Sequence, residues 1–161
     1  MLVTKKTMDD SSTYYSAITN VQYTLFRKTD LTYFYEAAYK DDALQKAYFI
    51  HKKNDEVEEE AKLVWSKDGY NSTNPAQHQQ YKEAIHKSML KAYFEKPQHR
   101  EELFSERFHE MVKVGSTDEG HKFIFFLPNG DKNVYEYNDK GICKKITASA
   151  GFMDFEMHLV E

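Results

Sequence analysis

The chain has 161 residues, a net charge of −4 and a hydrophobic fraction of 40%, enough to bury about two thirds of its unfolded surface and to fold without covalent staples. Its single cysteine, Cys143, excludes an internal disulfide or a cysteine zinc cluster and favours a reducing compartment. The acidic balance, with nineteen Lys against three Arg, excludes broad nucleic-acid binding, and no apolar run is long enough to span a bilayer, so the sequence reads as cytoplasmic with no membrane partner.

In "DSSTYYSAITNVQYTLFRKTD" the residues Tyr14, Ile18, Val21 and Leu25 recur at helical spacing, with Asp10, Ser11 or Ser12 as cap. The Thr, Tyr and Phe content suits a strand instead. Residues 11–40 stay open to both readings, with helix favoured by the spacing, and "LTYFYEAAYK" reads as a second short helix. From Asp41 onward Ala43, Ala47, Ile50, Asn54, Val57, Ala61 and Val64 repeat every three or four residues. That repeat predicts a long helix over about 42–67, capped by Asp41 or Asp42 and supported by a Glu58–Lys62 pair.

After the turn-forming "KDGYNSTNP", a helix with Pro75 in its first turn is expected, buried through Tyr81, Ile85, Ser88, Met89 and Ala92 and ending near Pro97. A last helix over about 98–112 offers Phe104, Phe108, Met111 and Val112. Beyond Gly120 the period changes to two. "KFIFFL", "KNVYEY", "ICKKITA" and "FMDFEMHLVE" read as strands, the last with Met153, Phe155, Met157 and Leu159 on one face. The intervening "PNGDK" has one glycine and leads into a strand, so it reads as a tight turn and not as a phosphate-gripping loop, which needs several glycines and a following helix.

These elements predict a single α+β domain over 1–161: a helical N-terminal half of four to five helices, about 11–113, packed on a four-stranded antiparallel meander, about 120–160.

Two E-x-x-H pairs, Glu83 with His86 and Glu106 with His109, carry the residue types of a di-metal helical bundle. On helical wheels both pairs lie away from the apolar stripes, so the sequence predicts neither a metal nor any other cofactor, and the pairs remain a weak alternative site. Cys143 reads as a packed strand thiol. "NDEVEEEAK" sets Asp55, Glu56 and Glu59 on the outer face of the long helix, with Tyr48 and Phe49 beside them. A carboxylate ridge with aromatic anchors suits a protein partner with a basic surface.

The sequence therefore points to a non-catalytic binding protein of the inhibitor, immunity or anti-defence type, such as a mobile element encodes, acting on a larger partner, with nucleic-acid-processing proteins among the candidates. The alternatives are a metal-dependent or hydrolytic enzyme using the His and Glu residues of the last two helices, and a self-assembling component with a Tyr-rich surface in the first 40 residues, which leaves a homo-oligomer open.

Overall fold

The computed structural model describes residues 1–9, 11–24, 26–73, 80–117, 120–150 and 153–158, the side chains of 149, 150, 153 and 154 excepted. Its strands are β1 (Leu2–Thr7), β2 (Ser12–Thr24), β3 (Lys28–Lys40), β4 (Ala43–Lys53), β5 (Glu56–Ser66), β6 (Gly69–Ser72), β7 (Glu102–Phe104), β8 (Met111–Ser116), β9 (Lys122–Phe126), β10 (Lys132–Tyr137), β11 (Cys143–Ala150) and β12 (Met153–His158). They form two six-stranded antiparallel sheets, each with its strands in sequence order. The one helical element among the described residues is a 3-10 turn, Lys91–Tyr93.

The helical half predicted from spacing is thus replaced by strands up to Ser72 and from Glu102. The described part of the helix expected between Pro75 and Pro97, with Tyr81, Ile85, Ser88, Met89 and Ala92, is irregular chain with one 3-10 turn, and the α+β assignment is corrected to all-β. Turn chemistry supplies the reason. Asp41 and Asp42, which read as helix caps, have φ of 50° and 59°, and Asn54 and Asp55, inside the predicted long helix, have 50° and 67°. Two successive residues at positive φ suit the two-residue turn whose twist matches antiparallel strands, and Asn and Asp are the side chains that tolerate it best after glycine. Each pair reverses the chain, giving β3–β4 and β4–β5 in place of a cap and a helix. The supposed acidic helix is therefore strand β5 and the turn before it, and the Glu58–Lys62 pair lies along a strand.

The segment expected to be helical from Ser12 is β2, and "LTYFYEAAYK" lies within β3, so the β-branched and aromatic content outweighs the helical spacing. The expected helix over 98–112 is β7, a turn and the first residues of β8. Asp10, Leu25, Pro75 and Leu159 lie outside the described residues.

The chain forms two compact units. One is Met1–His86 with Glu106–His109, and the other is Lys87–Ser105 with Glu110–Glu161. In the first unit the strand register fixes a large-and-small pattern across the sheet. The row Tyr15–Ala37–Ala47–Leu63 lies beside the row Ala17–Tyr35–Phe49–Ala61, so bulky ends face small centres and the reverse. Phe49, Leu63, Ala37 and Ala47 have no exposed surface. Interlocking of this kind fills space without off-rotamer side chains.

Residues after β6 close one side of this unit. The Tyr70 hydroxyl donates to the Leu44 carbonyl at 2.8 Å and accepts from the Ile85 N–H at 3.0 Å, while the Leu44 N–H donates to the Ile85 carbonyl at 2.8 Å. Gly69 has φ +116°, and a Cβ there would sit 2.6 Å from the Tyr81 carbonyl oxygen, so the position requires glycine twice over.

In the second unit the core is aromatic. Phe123, Phe125, Tyr135 and Tyr137 pack with Leu103, Val112, Val114, Cys143 and Ile146, and Met157 of β12 lies against them. Phe125 lies against Tyr135 with 4.1 Å between centroids and the ring planes tilted by 35°, and Tyr137 meets Phe123 edge-on at 5.6 Å. The Tyr137 hydroxyl donates to the Ala92 carbonyl at 2.8 Å, so its burial leaves no orphaned donor.

Candidate functional site

The five residues predicted for partner binding divide between two surfaces because strand neighbours point to opposite faces. Tyr48 lies on the outer face of the first sheet, where its hydroxyl donates to Glu60 at 2.9 Å. Phe49 points into the core and is 0% exposed, so it cannot serve as a surface anchor in this fold. Asp55 and Glu56 are exposed at the β4–β5 turn, with Glu58 and Glu60 exposed on β5. Val57, among these carboxylates, is 54% exposed. The Asn54 N–H donates to the Asp30 carbonyl at 2.8 Å, and the Asn54 side chain accepts from the Asp30 N–H at 3.0 Å, which ties the turn to β3.

Glu59 points inward to a second cluster that sequence reasoning missed. One row beyond the interlocked pair, the register aligns Tyr33, His51 and Glu59. Arg107 completes the row: its Nε and Nη2 donate to Glu59 Oε2 at 3.1 and 2.8 Å, and Nε also reaches Oε1 at 3.3 Å. Its guanidinium lies 5.4 Å from the Phe49 ring centroid and 5.0 Å from that of Phe108. A planar, weakly hydrated cation suits such a half-buried aromatic setting, where lysine would not.

The ring of His51 stacks flat on Tyr33 at 4.4 Å. Burial, and secondly the Arg107 charge, hold the His51 pKa below its ordinary value and so favour the neutral ring. Desolvation raises the Tyr33 hydroxyl, with Arg107 opposing the shift.

The weak metal alternative is not assembled. Glu83 and His86 are exposed, and His86 Nδ1 lies 2.9 Å from the Asp42 carbonyl oxygen. Glu106 and His109 are buried, at 1% and 0% exposure, in a turn and not on a helix. Among the described residues no group of three or more His, Cys, Asp and Glu side chains is placed to hold a metal. His109 takes φ 54°, and its Nδ1 lies 2.6 Å from the Ser72 hydroxyl oxygen. Burial pushes its pKa down to about 4, so the ring is neutral around pH 7. Ser72 and His109 are in contact, yet the imidazole has no exposed surface from which to reach a substrate, and the pair reads as an anchor for the segment carrying Arg107. Cys143 is buried, and desolvation pushes its thiol up to about 12, which keeps it from acting as a thiolate.

The signal that could have exposed this cluster was the rarity of arginine: Arg107 stands in a Lys-rich chain at "SERFH", where neither charge nor spacing is needed by a helix.

No helix among the described residues is long and apolar enough to cross a membrane. The family model DUF6134, a domain of unknown function, matches residues 1–160, so the two-sheet fold and both clusters lie within its match. The chain belongs to that family. No curated protein and no solved structure matches it.

Proposed function

We propose that the protein is a non-catalytic binding protein that occupies a surface of a larger partner, of the inhibitor, immunity or anti-defence type, and that its β4–β5 hairpin is the contact. The observation that carries this reading is the exposure of Asp55, Glu56, Glu58 and Glu60, together with that of Val57 between them in sequence. The two-residue turn and its bonds to Asp30 hold the carboxylates in place before binding, so little order has to be created when a partner arrives. Lys53 stands opposite Glu56 in the register and offsets part of its charge, which concentrates the acidic surface on the tip and on β5. Such a surface suits a basic groove, including one that otherwise holds nucleic-acid phosphates. Glu59, committed to Arg107, is not part of it.

The test is parallel capture on immobilised wild type and on the triple variant Asp55→Asn, Glu56→Lys, Glu58→Lys, in which asparagine keeps the positive-φ turn at 55. The expected result is a stoichiometric protein retained by wild type, released as salt rises from about 0.05 to about 0.5 M, and lost from the variant while its melting temperature is kept. Equal retention by both proteins with no salt dependence would remove the hairpin as the contact.

A further inference from the structure

Strand β2 outruns its outer neighbour. Its pairing with β1 ends at Leu2↔Ile18, whereas its pairing with β3 continues to Thr24↔Lys28. Two backbone bonds show which way each peptide faces. The Met8 N–H donates to the Ser12 carbonyl on the β1 side, and the Asp41 N–H donates to the Ser11 carbonyl on the β3 side. In an antiparallel ladder the facing alternates residue by residue, so even-numbered residues of β2 turn their N–H and C=O toward β1. Beyond Ile18 those groups of Asn20, Gln22 and Thr24 face an edge with no strand beside it among the described residues. All three residues are exposed.

Protein edges are usually kept from pairing by a charge, a proline, a bulge or a short strand. The stretch Thr19–Thr24, "TNVQYT", has no charge and no proline, and its pairing to β3 shows no register shift. By contrast, β1 carries Lys5 and Lys6.

We infer that this edge pairs with the same edge of a second copy, antiparallel about a twofold axis through Gln22. The sequence is self-complementary in that register. Asn20 meets Thr24, Val21 meets Tyr23 and Gln22 meets Gln22, so each pair is polar with polar or apolar with apolar and no like charges oppose. Every N–H and C=O of Asn20, Gln22 and Thr24 then finds a partner.

The contact is isologous and closes on itself, and it is independent of the acidic hairpin. It is shorter than a standard interface of about 1,600 Å², so the dimer is weak and depends on concentration.

Sedimentation equilibrium between about 1 µM and about 1 mM tests the proposal. The expected result is a mass rising from 19.0 kDa toward twice that value. Gln22→Pro removes an edge N–H without touching the ladder to β3, and Gln22→Lys sets like charges across the axis. Each should weaken the dimer by about tenfold or more at an unchanged melting temperature. Gln22→Lys, which keeps the backbone N–H, covers the case in which proline disturbs the strand. A single 19.0 kDa species at every concentration, or a dimer that persists through both Gln22 variants, overturns the inference. So does a chain that stays monomeric while its edge takes up a strand from another protein.

Discussion

Both sheets are six-stranded meanders, but they are built on different plans. In the first, β2 to β5 run for 11 to 13 residues, and the tight reversals into β4 and β5 are made by Asp and Asn. Its core alternates alanine with large side chains, row by row, so that specificity lies in the register. In the second, β7 to β12 run for three to eight residues, Gly130 and Gly141 take positive φ in the turns after β9 and β10, and four aromatic rings dominate the core. The first sheet specifies itself by matching shapes over long strands, and the second by aromatic area over short ones.

The strongest way to break that comparison is to remove one ring from each core. Phe125→Ala and Phe49→Ala should each cost about 3–5 kcal/mol, since both side chains are fully buried. In a denaturant titration Phe49→Ala should lie at the upper end, because the Arg107 guanidinium loses a ring face as well. A loss below about 1 kcal/mol at Phe49 would show that the interlocked rows do not carry the first unit.

The next effect belongs to the first unit alone. His109 has a folded pKa of about 4, lowered by burial from an unfolded value near 6.5. Between these values the unfolded chain holds a proton that the folded one does not, so stability is full above about pH 6.5 and falls as pH drops toward 4. The loss amounts to about 3 kcal/mol at pH 4. Replacing His109 by Gln should flatten that part of the stability–pH curve measured by urea titration, even if the variant is less stable at pH 7.

The smallest effect contrasts the turns. Asp42 and Gly130 both sit at positive φ. Asp42→Gly should stabilise by up to about 1 kcal/mol, whereas Gly130→Ala should destabilise by about 1 kcal/mol, although a Cβ at Gly130 meets nothing within 4 Å. Thermal melts that moved the same way for both would show that the turn conformations differ.

The same contrast explains what was legible in the sequence. In β9 to β12 the alternation, the "PNG" turn and the glycines all agree, and the strands occur where that pattern places them, although within a six-stranded sheet of the second unit. In β2 to β5 the turns contain no glycine, and alanines spaced to fill a sheet row also fall at helical intervals: Ala47 and Ala61 serve both patterns. The pairs Tyr15 with Ala17, Ala47 with Phe49 and Ala61 with Leu63 show the period of two once the turns are known. Of the candidate contact, the carboxylates at 55 and 56 were legible as exposed, but Phe49 and Glu59 were assigned to the wrong side because the face of a residue depends on the period chosen. The Arg107 cluster joins residues 48 apart in sequence, and the rarity of arginine is its one local signal, which does not name the partner.

The segment Glu106–His109 also bears on the order of events during synthesis. The six strands of the first sheet are complete at Ser72, yet the residues that cover Phe49 and neutralise Glu59 are made only 30 or more positions later. Every other pairing in that sheet joins sequence neighbours and can zip up as the chain leaves the ribosome. For the time needed to translate that stretch, a few seconds at about 5–20 residues per second, the nascent first sheet carries an uncapped aromatic and a lone carboxylate. That interval is when the growing chain is most open to a chaperone, or to a neighbouring chain on the same message.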